Sequence, residues 1–113
     1  VIETGARYLL DPRTKHEPTL VTAVAAARER RIDFLRMSID LAVELGSDCV
    51  SLWSGILHDQ VSEEVAFDRL TESLAQVTAH AEEIQHEAVD CEKAWRVRGG
   101  SEPAHLSVAL AAA

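Results

Sequence analysis

The apolar positions of the chain fall into two kinds of block. In residues 31–55, RIDFLRMSIDLAVELGSDCVSLWSG, Ile32, Leu35, Ile39 and Ala42 recur at helical spacing, and Phe34, Leu41 and Leu45 widen the same stripe. Gly46 follows where a helix ends, because a residue without a Cβ enters the left-handed region at little cost. Cys49, Val50, Ser51, Leu52 and Trp53 then form a short uncharged run. That length, directly after a turn, predicts a strand covered on both faces, as in parallel sheets. Its end, Ser54-Gly55, is then a loop at the carboxyl end of a strand, where parallel sheets hold their ligands.

The pattern on either side is similar. Val1 and Ile2 read as the end of a strand closed by Gly5. The passage ARYLLDPRTKHEPTL follows, with turns at Asp11-Pro12 and Glu17-Pro18, since a residue before proline is pushed out of the helical region. A connection of this length is more often functional than filler. It carries Arg7, Tyr8, Arg13, Lys15 and His16, which are either site groups or solvated charges. From Thr22 the alanine-rich VAAARERR favours helix and runs into the next stripe, predicting one helix of roughly twenty residues.

Beyond the loop, Ser62 is placed to cap a second helix, with Glu63 and Glu64 at the positive end of its dipole. Phe67, Leu70, Leu74, Val77 and Ala81 continue the stripe. The order β-α-β-α implies a parallel sheet with helices outside. The polar EEIQHEAVDCEKAW that follows breaks this pattern, and the division expected is a segment over residues 1–83 and an irregular or helical tail over residues 84–113. Too few strands are legible for a complete α/β fold, so the chain reads as a piece of a larger one.

Composition narrows the function. With a formal net charge of −8 and no extended Lys/Arg cluster, nucleic acid is a poor partner. Arg28, Arg30 and Arg31 alternate with Glu29 and Asp33 and read as a solvated helix face. The two cysteines, Cys49 and Cys91, have no metal or disulfide spacing, and Cys49 reads as a core residue. No stretch is long and apolar enough to span a bilayer, so no membrane partner and a cytoplasmic location are expected.

Three stretches together, ETGARYLLDPRTKH, RIDFLRMSIDLAVELGSDCVSLWSG and SEEVAFDRLTESLAQVTAHAEE, resemble the sugar phosphate isomerase/epimerase group of the xylose-isomerase-like barrels, a superfamily shared with apurinic-site endonucleases. The resemblance covers residues 1–83 and implies an α/β fragment of a (β/α)8 barrel, with two parallel strands and two long helices. It also implies a divalent metal at the carboxyl ends of the strands of the full-length parent, polarising a sugar or sugar phosphate during proton or hydride transfer. None is expected for this segment alone, and the parent's diagnostic fourth-strand carboxylate has no counterpart, since Glu102-Pro103 follows Gly-Gly-Ser.

Carried over residue by residue, the resemblance makes Glu3 and His16 catalytic candidates, Glu3 serving as ligand or base or else pairing with Arg7. Arg7 or Lys15 would meet an anionic substrate group, Trp53 with Ser54 and Gly55 would form a pocket wall, and His58 lies within reach of it. Trp53 stands where endonuclease-like relatives place a histidine, and an indole cannot bind zinc, so a phosphodiesterase is the weaker reading. Another alternative is a non-catalytic α-rich module in which the two helices pack as a hairpin against a partner. Self-association through uncovered apolar surface is a further expectation.

Overall fold

The structure is a computed structural model; it describes residues 1–96 and 107–111, with side chains described through residue 85. The elements are β1 (Ile2–Glu3), α1 (Ala25–Glu44), β2 (Cys49–Trp53), α2 (Glu63–Arg96) and β3 (Ser107–Ala111). The three strands form one parallel sheet in the order β1-β2-β3, with Glu3 in register with Ser51 and Val50 with Val108. The two strands and two helices expected are present, and β3 adds a third strand beyond them. Helix α2 passes residue 84 without a break, and residues 98–103 lie outside the described residues.

Local chemistry accounts for the helix boundaries. The α1 C-terminus closes with a Gly46 amide donating to Val43 O at 3.2 Å and a Ser47 amide donating to Ala42 O at 2.8 Å, with Gly46 at φ 67°. This paired arrangement satisfies two of the carbonyls that a helix end leaves free, and it needs a left-handed residue at its centre. At the start of α2 the Val65 amide donates to Ser62 Oγ at 3.3 Å, and Glu63 and Glu64 occupy the first turn.

Both helices pack on one face of the sheet. Val50 and Leu52 from β2 meet Ile32, Leu35, Ile39 and Ala42 from α1 and Val77 and Ala81 from α2, with Leu20 closing one end. Each large aliphatic side chain so buried stabilises the fold by about 1.5–3 kcal/mol. Three details differ from the sequence reading. Strand β2 alternates: Val50 and Leu52 are buried while Cys49, Ser51 and Trp53 are half-buried, so among the described residues only one face is packed as core and Cys49 is not part of it. Leu41, Leu45 and Phe67 are exposed, the last by 70%, because the sheet covers a narrower arc of each helix than the apolar stripe spans. Finally, a strand separates the helices from an all-helical hairpin: they form a layer over β2, not a free-standing pair.

Candidate active site at the open face of the sheet

Because side chains alternate across a strand, burying Val50 and Leu52 turns Ser51 and Trp53 to the other face. Glu3 lies opposite Ser51 in β1, and the Ser51 hydroxyl donates to Glu3 Oε2 at 2.6 Å. The expected Glu3–Arg7 partnership is therefore replaced by a Glu3–Ser51 one. Next to them, the buried Thr4 hydroxyl donates to Ser51 O at 2.6 Å and locks the carboxyl end of β1 to β2.

The loop from β1 to α1 brings His16 to the same face. Its ring meets Trp53 edge-on, with centroids 5.2 Å apart and planes at 82°, a favoured aromatic arrangement. His16 takes φ 65°, an uncommon conformation for a residue with a Cβ, and its amide donates to Arg7 O at 2.5 Å. The Glu17–Pro18 peptide that follows is cis. Glu3, Ser51, Trp53 and His16 thus gather about the carboxyl ends of β1 and β2, the first three on the strands and His16 over them.

The other sequence candidates are placed differently. Ser54 and Gly55 are half-buried just past Trp53. Gly55 has φ 99°, and a Cβ there would lie 2.3 Å from Thr19 Cβ, so only glycine lets the β2–α2 loop touch the β1–α1 loop. His58 is exposed and turns to Glu17, with Nε2 and Oε1 2.7 Å apart. Glu17 Oε2 also accepts the Thr22 hydroxyl at 3.2 Å. Arg7 and Lys15 are exposed on the loop surface.

A second set of contacts fixes both loops to the helices. Arg69 donates to Asp59 through two nitrogens, at 2.9 and 2.8 Å, and to Val21 O at 3.2 Å. That fork holds the Asp59 carboxyl below the usual carboxylate range and raises Arg69 above the ordinary guanidinium value. Ser73 donates to Leu20 O at 3.1 Å.

Sequence reasoning missed the arginines of α1, read as a solvated face. Arg28 donates to Thr22 O at 2.7 Å and Ala23 O at 2.9 Å, and Arg30 donates to Leu10 O. Arg31 is buried to 1% exposure and donates through Nη2 to Thr4 O at 2.7 Å. Burial pushes its guanidinium down from the ordinary value, and the nearby Glu17 charge partly offsets this. Its partner lies 27 residues away, a pairing that no local pattern encodes.

Among the described residues, no three His, Cys, Asp or Glu side chains gather as a metal-holding group. These described residues alone do not fit a divalent ion. Among the described residues, no helix is long and apolar enough to cross a membrane.

A parallel sheet with its helices on one face, and polar and aromatic side chains collected where the strands end, is an arc of a TIM-type barrel. A family model described as the xylose isomerase-like TIM barrel matches residues 10–99, and the chain belongs to this family. Comparison with curated proteins and with solved structures gave no match.

Proposed function

We propose that the open face of this sheet is part of the site of a sugar or sugar phosphate isomerase or epimerase, in which a proton is moved between neighbouring carbons. The observation that carries the reading is the grouping of Glu3, Ser51, Trp53 and His16 at the strand ends in a chain of the xylose isomerase-like family. Trp53 offers an apolar platform for the C–H face of a sugar ring. Glu3, exposed and oriented by the Ser51 hydroxyl, is the base that takes the proton, and His16 is the second group that exchanges protons with a sugar oxygen. Ser54 and Gly55 continue the wall, and His58 orders it from outside through Glu17.

In this reading a divalent ion belongs to the closed barrel and takes its carboxylates and histidines from other strands, while the arc described is inactive alone. The acidic balance of the chain and the indole of Trp53 weigh against a phosphodiesterase. The test is a fluorescence titration of the full chain, in a Trp95→Phe background, with aldoses, ketoses and their phosphates. A saturable change in Trp53 emission that disappears in Trp53→Phe supports the reading. Emission unchanged up to about 100 mM sugar removes it, since KM values rarely exceed the millimolar range.

A further inference from the structure

Glu3 is the exposed last residue of β1, a strand only two residues long. So short a ladder does little by itself to fix the direction of a side chain at its end. The next residue, Thr4, is 2% exposed and bonds in two directions. Its hydroxyl donates to Ser51 O at 2.6 Å, and its carbonyl accepts from Arg31 Nη2 at 2.7 Å. Ser51 is thus gripped by Thr4 at its carbonyl while its own hydroxyl donates to Glu3 Oε2, also at 2.6 Å. Arg31 stiffens the set from the helix side. Its guanidinium carbon lies 5.3 Å from the centroid of the Phe34 ring, and its side chain is 1% exposed. Among the described residues its Nη1 has no hydrogen-bond partner, so this buried cation depends on the Thr4 carbonyl, and giving that contact up is costly.

We infer that Thr4 is the positioning residue for Glu3: held from behind by Arg31, its hydroxyl keeps Ser51 in place, and Ser51 in turn aims the Glu3 carboxylate toward the open face of the sheet. A group that exchanges protons must be held in direction as well as in place, and the residues that hold it do so when their own conformations are locked. Threonine suits the task because its branched Cβ restricts χ1, so the hydroxyl is aimed before any bond forms. Thr4 itself is buried and does not meet the substrate. The inference rests on the proposed role of Glu3 as the base, but its test reads the Glu3 side chain directly and requires no sugar.

The experiment is NMR of the full chain, in which the three-bond couplings of the Glu3 methylenes report the rotamer of that side chain, and Glu3→Gln assigns its signals. Wild type is expected to show a single rotamer. Thr4→Val keeps the shape and removes the hydroxyl, and it should lose the single-rotamer pattern to averaged couplings, as Ser51→Ala should. Thr4→Ser, which restores the hydroxyl, should return the wild-type pattern. Thr4→Ala repeats the test should circular dichroism show Thr4→Val unfolded. A Thr4 that serves only the fold would lower the melting midpoint in Thr4→Val and leave the Glu3 couplings of the folded protein unchanged, and that result overturns the inference. Averaged Glu3 couplings in wild type overturn it as well, whichever variants fold. The Trp53 titration separates the two readings: a fixed Glu3 released by Thr4→Val, with no Trp53 response to aldoses, ketoses or their phosphates, keeps the positioning and removes the sugar chemistry. A saturable Trp53 response with Glu3 averaged in wild type does the reverse.

Discussion

The Ser51 hydroxyl donates to Glu3 Oε2 at 2.6 Å across a registered pair of adjacent parallel strands. The contact is exposed to water, so its net worth to the fold is about 0.5–1.5 kcal/mol or less. Its consequence lies in direction: a free carboxylate rotates, and a tethered one holds an oxygen toward the open face. Ser51→Ala is expected to lower the urea unfolding free energy by no more than about 1 kcal/mol. The same change should weaken the sugar-dependent Trp53 response severalfold. A large stability loss would mean that the pair serves the fold instead of the site.

Gly55 and Gly46 both have positive φ, yet they predict different costs. Around Gly46 a Cβ meets nothing within 4 Å, so Gly46→Ala costs only the backbone conformation, about 1–2 kcal/mol. At Gly55 the added carbon lands 2.3 Å from Thr19 Cβ, and overpacking adds about 1–3 kcal/mol. Urea unfolding should rank Gly55→Ala as the more damaging by that margin.

Much of the scaffold was legible because it is written in short-range signals. The stripe from Ile32 to Ala42, Gly46, the uncharged Cys49–Trp53 run and the Ser62 cap each act within a turn or two, and each appears where its spacing put it. What was not legible depends on distant partners. Arg31 looks solvated beside Glu29 and Asp33, and only Thr4, across the first loop, reveals it as buried. Glu3 was legible as a strand-end carboxylate, but its partner Ser51 is 48 residues away. Strand β3, SVALA, escaped notice because an alanine-rich run after a long polar segment has weak strand preference, and its pairing with β2 is what defines it.

The difference between a periodic apolar position and a buried one is itself testable. Leu35 and Ile39 lie in the core at 1% and 0% exposure, whereas Phe67, in the same kind of stripe on α2, is 70% exposed. Leu35→Ala and Ile39→Ala are each expected to cost about 2–5 kcal/mol. Phe67→Ala should stay within about 0.5 kcal/mol, as surface changes do. Chemical denaturation followed by circular dichroism checks all three. A Phe67→Ala cost comparable to the core pair would show that this ring is covered in solution, with self-association through the apolar surface as the first cause to examine by sedimentation.

The Asp59–Arg69 fork gives the stability a defined acid limb. The Arg69 hydrogen bonds are the main reason that the Asp59 carboxyl is held below its ordinary value in the fold. A carboxylate whose folded value is depressed contributes fully above its unfolded value, near 3.9, and loses that contribution as pH falls through the lower folded value. Unfolding free energy measured from pH 6 downward should therefore fall more steeply for wild type than for Asp59→Asn, with the two curves parallel above about pH 5. Both groups are in contact with solvent, so 1 M salt should shrink the difference. Arg69→Met should flatten the same limb and also free Val21 O, whose bond to Arg69 is 3.2 Å, which loosens the base of the β1–α1 loop. Identical acid limbs in wild type and Asp59→Asn would show that the fork is not formed in solution.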